Sequence, residues 1–163
     1  MLAFGYKSVT FFYRQNACKM RTQPLILVAD DDEDDVFLLE RAFEKASVFV
    51  RVIVVPNGEE AIGYLSGEGK YSDRKEYPWP VLMLLDLKMP MVDGFDVLNW
   101  WRERGRERDL PIVVMSTSNH EADVKRAMDL GAAAYRVKPS EFERLLAVAS
   151  ELRDRWLDQE MTR

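Results

Sequence analysis

Asp30 and Asp31 directly follow an apolar run, Asp86 closes another, Ser116 and Thr117 stand at the end of a third, and Lys138 follows a fourth. Carboxylates brought together at neutral pH repel one another unless a cation balances them. With no His or Cys beside them in the sequence, the donors are oxygens, which suits a hard divalent cation such as Mg²⁺ and disfavours zinc. Magnesium keeps several waters and takes one or two carboxylates plus phosphate oxygens, so the chemistry open to Asp30, Asp31 and Asp86 is the holding of a phosphorylated group beside a metal. The plainer reading of the acidic run is helix capping, since acids favour the positive end of a following helix. We take that reading for Asp34 and Asp35, leave Asp32 open, and assign Asp30 and Asp31 to the metal.

These residues converge only if the apolar runs are strands of one sheet. Runs rich in branched residues occupy positions 25–29, 50–55, 81–85, 112–116 and 134–137, and they lack the polar alternation of a half-exposed sheet. Between them lies helical spacing: Val36, Leu39, Phe43 and Ala46 after the first run, and Phe142, Leu145, Leu146, Ala149, Leu152 and Trp156 after the last. The pattern predicts an α/β fold, a five-stranded parallel sheet wound on both faces by helices, with ligands at the carboxyl edge of the strands. Ser140 and Glu143 have capping-box spacing and predict that the last helix starts right after Lys138. Gly131 predicts the stop of a helix that begins near Glu121. Residues 67–80 read as a surface excursion without an element of its own; a tolerated insertion is the plainer account and a docking loop the sharper one.

A chain of 163 residues is sized for one domain plus tails. We expect an N-terminal extension at 1–23, a domain at 24–157 and a tail at 158–163, with Met20 as a candidate native start. The net charge of -5 and the absence of a basic stripe argue against nucleic acid as a partner. No run is long and apolar enough to span a membrane, and no export signal is evident. Cys18 is the sole cysteine, which excludes an internal disulfide and suggests the reducing cytoplasm.

The acidic pair Asp30-Asp31, the stretch Leu84-Leu85-Asp86-Leu87-Lys88-Met89-Pro90 through Asp93-Gly94, and Ser116, Tyr135 and Lys138-Pro139 together resemble the receiver domain of two-component response regulators. The resemblance implies a flavodoxin-like sheet with strand order 2-1-3-4-5. It implies Asp86 as phosphoacceptor, and Asp31, Asp86 and the backbone carbonyl of Lys88 as Mg²⁺ ligands, with Asp30 acting through water. Lys138 would hold the phosphoryl oxygens, Ser116 would be the switch hydroxyl, and Tyr135 the aromatic that reports its movement. A carboxylate attacking phosphorus gives an acyl phosphate, chemistry these residues can support. The cationic side chain of Lys88 and the hydroxyls of Thr117 and Ser118 are candidate modulators of phosphoryl lifetime.

The resemblance also implies a histidine kinase or histidine phosphotransfer protein as partner, and a homodimer through the face of the fourth helix, fifth strand and fifth helix. The chain ends soon after its last helix, so we expect a stand-alone regulator whose output passes through another protein. The 67–80 excursion and the Arg155-Trp156-Leu157 ending resemble single-domain regulators paired with phytochrome-type kinases. A Mg²⁺ phosphohydrolase of the haloacid-dehalogenase kind is the alternative, but the position of its acid/base Asp is taken by Lys88, so a switch is expected rather than a turnover enzyme. A phosphorylation-independent scaffold is the third reading. His120 reads as a solvated loop residue, and Trp100-Trp101 as one ring partly exposed and one in the core.

Overall fold

The computed structural model describes residues 23–104 and 109–158; the expectations for the N-terminal extension and for the tail beyond Asp158 lie outside them. The elements run β1 (Leu25–Ala29), α1 (Glu33–Lys45), β2 (Arg51–Val55), α2 (Gly58–Ser66), a 3-10 turn (Gly69–Tyr71), β3 (Leu82–Leu85), α3 (Gly94–Glu103), β4 (Ile112–Ser116), α4 (Glu121–Asp129), β5 (Ala134–Val137) and α5 (Phe142–Leu152), which ends in a π turn (Arg153–Leu157). The strands pair in parallel in the order β2-β1-β3-β4-β5.

Side chains alternate across the sheet, as the two-residue period of a strand requires. Leu25, Leu27 and Ala29 of β1 join Met83, Leu85, Ile112 and Val114 under α2 and α3. Ile26, Val28, Leu82, Leu84, Val113 and Met115 join Leu39, Phe43, Leu145, Ala149 and Leu152 of α1 and α5. The three central strands are therefore buried along their whole length, whereas the edge strands β2 and β5 each expose positions. No helix among the described residues is long and apolar enough to cross a membrane.

Asp32 is the N-cap of α1, its carboxylate accepting from the N–H groups of Asp34 and Asp35 at 2.9 and 3.2 Å. Asp93 and Asp96 form a reciprocal capping box at α3. The box expected at Ser140 and Glu143 does not form. Glu141 occupies the cap position of α5 without a side-chain bond, and the helix starts at Phe142, four residues after Lys138. The reason is tertiary: the Lys138 N–H still bonds to the Ser116 carbonyl at 2.8 Å, so the chain leaves β5 extended and needs a turn before α5 can lie on the sheet. Gly131, at φ 97°, follows the end of α4 as expected.

The 67–80 excursion is not a projecting loop. It forms the 3-10 turn and buries Tyr71, whose ring lies 5.1 Å from those of both Tyr64 and Tyr77. Tyr64 donates to the Pro78 carbonyl at 2.7 Å, and Arg74 donates to the carbonyls of Tyr64, Leu65 and Tyr77. Trp79 then meets the buried Trp101 at 6.4 Å, while Trp100 stays half-exposed. Aromatic area and capping of the α2 carbonyls thus fasten the segment to α2 and α3.

Candidate functional site

The carboxyl edge of the sheet is built by extending the strand ladders one residue further. The Asp30 N–H bonds to the Val55 carbonyl at 3.1 Å, the Asp86 N–H to the Ala29 carbonyl at 2.9 Å, and the Lys138 N–H to the Ser116 carbonyl at 2.8 Å. Each chemical side chain is therefore pinned by backbone before its own contacts are counted. Gly94 completes the arrangement: its N–H bonds to the Leu87 carbonyl at 3.1 Å, drawing the start of α3 against the turn that follows Asp86.

Carboxylate oxygens of Asp30, Asp31 and Asp86 lie within 4.8 Å of one another. Asp86 is buried, Asp30 half-buried and Asp31 exposed. The Lys138 ammonium is 2.8 Å from Asp30 Oδ2, 2.7 Å from Asp35 Oδ2 and 3.7 Å from Asp86 Oδ2. Burial pushes the Asp86 carboxyl above the ordinary range; Lys138 opposes that and Asp30 adds to it, while the N–H groups of Lys88 and Leu87, the latter at 2.8 Å from Oδ1, restrain it. Asp30 is raised for the same first reason, burial, against the pull of Lys138. For Lys138, burial works against the charged form, but the bonds to Asp30 and Asp35 outweigh it and its pKa rises. Burial thus makes the ionised form of these acids costly despite Lys138, a cost that a bound cation would offset. An oxygen-only donor set with surplus negative charge fits Mg²⁺ or a similar hard ion.

On the opposite rim, Ser116 is fully buried and its Oγ accepts from the Ser118 N–H at 3.2 Å. Ser118 Oγ donates to Asp123 Oδ2 on α4 at 2.5 Å, and the Tyr135 hydroxyl donates to the Ser118 carbonyl at 2.9 Å. Ser116, Ser118 and Tyr135 are thus one hydrogen-bonded unit. The side chains of Thr117 and Lys88 are exposed instead, and His120 is exposed at the start of α4.

Two residues here escape a reading of the chain alone. Asp35, which we assigned with Asp34 to capping, sends its carboxylate to Lys138, and the cap is Asp32. Asp123 closes the Ser118 bond. A place in the first turn of a helix that starts at the carboxyl edge is the only local sign either carries.

The profile of the response regulator receiver domain matches residues 26–150. The probable methanogenesis regulatory protein FilR2 of Methanothrix harundinacea is 33% identical over 136 residues, spanning 82% of this chain and 83% of that one. The phosphorylated cyanobacterial phytochrome response regulator RcpA superposes with a TM-score of 0.76 at 31% identity, over 84% of this chain and 96% of that one. The Mn²⁺-bound form of response regulator Rcp1 gives 0.73 at 27% identity, over 83% and 95%. By fold, by sequence and by the residues gathered at this edge, the chain belongs to the response regulator receiver domain family of two-component signalling.

Proposed function

We propose that Asp86 accepts a phosphoryl group from a phosphohistidine on a histidine kinase or phosphotransfer protein, and that the chain signals through the resulting change of surface. The observation that carries this is the buried Asp86 carboxylate, grouped with Asp30 and Asp31 within 4.8 Å and facing Lys138. A carboxylate oxygen forms the new O–P bond, the bond from phosphorus to the donor's leaving group breaks, and its electron pair leaves with that group. Asp31, Asp86 and the Lys88 carbonyl would hold Mg²⁺, with Asp30 through water; the ion supplies charge neutralisation for the transferring group. Lys138 adds a second cation for the same oxygens, and Ser116 donates its hydroxyl to one of them.

When Ser116 turns to the phosphoryl group, its bond from the Ser118 N–H is given up, and Tyr135 and Asp123 feel the change through Ser118. That route leads to α4 and β5, part of the α4, β5 and α5 face we assign to homodimer formation. Lys88, Thr117 and Ser118 are the candidates for setting phosphoryl lifetime. The cytoplasm is the compartment, and no nucleic acid is part of the reading. A phytochrome-type kinase is the proposed donor, because RcpA is by its own description a phytochrome response regulator.

Incubation with Mg²⁺ and a small phosphodonor, followed by intact mass, tests the assignment. One acid-stable, base-labile phosphoryl group is expected on the wild type and none on Asp86→Asn. Equal labelling of both would overturn the site, and steady phosphate release over many turnovers would replace the switch by a hydrolase.

A further inference from the structure

Lys138 does not rest on the residue it is expected to serve. Its ammonium donates to Asp35, in the first turn of α1, at 2.7 Å and is ion-paired at 2.8 Å with Asp30 at the end of β1, while Asp86 at 3.7 Å is beyond a hydrogen bond. We propose that Asp35 is a positioning residue that holds the Lys138 ammonium toward α1 until a phosphoryl group competes for it, and so sets how readily the site takes one up. The proposal rests on Asp86 being the acceptor.

The asymmetry between these two partners supports the assignment. The Asp30 side chain is 10% exposed and that of Asp35 is 37% exposed. Breaking the bond to Asp30 strands a desolvated carboxylate, whereas Asp35 is taken up by water at little cost. When phosphoryl oxygens arrive, Asp35 is therefore the partner that lets go, and Lys138 can swing toward Asp86 while still paired to Asp30. Asp35 also stands outside the group of carboxylates close enough to share a metal, among the described residues. It reaches the metal-site acids only through the Lys138 it shares with Asp30 and through its charge, so its effect is read with the metal held saturating. The contact joins α1 to the end of β5 across 103 positions of sequence, so it acts on the site and on the packing of α1 near the β5–α5 turn together.

Beryllofluoride, a phosphoryl mimic, titrated by calorimetry at saturating Mg²⁺ reads the effect without turnover. Asp35→Asn is expected to bind it about fivefold more tightly than wild type, the scale of a partly exposed ion pair. Asp34→Asn removes the same charge one residue away, from a side chain not paired with Lys138, and is expected to change affinity by less than about half as much. Asp35→Glu should restore the wild-type value, and thermal melts confirm that each variant is folded. Unchanged or weaker binding by Asp35→Asn, or the same gain in Asp34→Asn, would overturn the proposal. If wild type and Asp86→Asn both fail to bind, the acceptor reading falls and this one with it; if wild type binds and Asp86→Asn does not, only the behaviour of Asp35→Asn decides.

Discussion

A methyl group at position 94 would stand 2.3 Å from the carbonyl oxygen of Asp86 and 2.8 Å from the Cα of Leu87. Both obstacles are backbone, so α3 can only start where it does because residue 94 has no side chain.

Gly94→Ala therefore has to push α3 away from the acceptor turn. A loss of about 1–3 kcal/mol in a urea unfolding experiment is expected, the range for overpacking. Labelling of Asp86 should slow by about tenfold or more as the turn shifts. Wild-type labelling in a destabilised variant would mean that the turn does not set the site's geometry.

Asp86→Asn should raise thermal stability in metal-free buffer as well as abolish labelling. Burial and the neighbouring Asp30 make the ionised carboxylate costly, and the amide removes that cost while keeping the shape. Added Mg²⁺ should then stabilise the wild type much more than the variant, measured as the shift in melting temperature.

The pH dependence has two opposed parts. Asp30 and Asp86 are raised above 3.8 in the folded state, so the native protein binds more protons than the unfolded chain between that value and their folded pKa values. Stability of the metal-free protein should rise as pH falls through that window. Glu151 is lowered from 4.5, chiefly by its bond from Arg136, and Glu60 by its bond from Lys70. Their contributions are present above 4.5 and are lost as pH falls through their folded values. Chemical denaturation in chelator is expected to show a maximum on the acid side of neutral, and excess Mg²⁺ should remove the gain on acidification. A monotonic fall of stability from pH 7 downward in chelator would contradict the charge surplus at the site.

Tyr135→Phe deletes the bond to the Ser118 carbonyl and is expected to cost about 1 kcal/mol in equilibrium unfolding. Mg²⁺ affinity should stay the same, because the Tyr135 hydroxyl is bonded to the Ser118 carbonyl and is not one of the oxygens grouped at the acidic rim. A large change in metal affinity would place Tyr135 in a different role.

Tyr71→Ala tests whether the 67–80 segment belongs to the folded unit. The ring is buried between Tyr64 and Tyr77 and its hydroxyl bonds to Glu60 at 2.6 Å. A loss of about 3 kcal/mol is expected, as for other large buried rings. A change under about 0.5 kcal/mol would instead mark the segment as a surface insertion.

What the sequence determined by itself was the order of chemistry along the chain. Apolar runs without alternation require a sheet covered on both faces, and parallel strands put every carboxyl end on one edge. The residues after those runs, Asp30, Asp31, Asp86, Ser116 and Lys138, therefore had to meet, and they do. Gly131 ended α4 because a left-handed residue is a local property. What the tertiary structure decided were the partners. Asp32, Asp34 and Asp35 are acids of one kind at one helix start, and only the geometry there and the position of Lys138 just past β5 separate the cap, Asp32, from the ion pair, Asp35. Ser140 and Glu143 had the spacing of a box, but the direction in which β5 delivers the chain moved the helix start past it. The 67–80 segment read as a surface excursion, and only the faces of α2 and α3 supplied somewhere to bury its aromatic residues. Local rules act over a turn of helix or a strand, whereas these choices were made by contacts tens of residues apart.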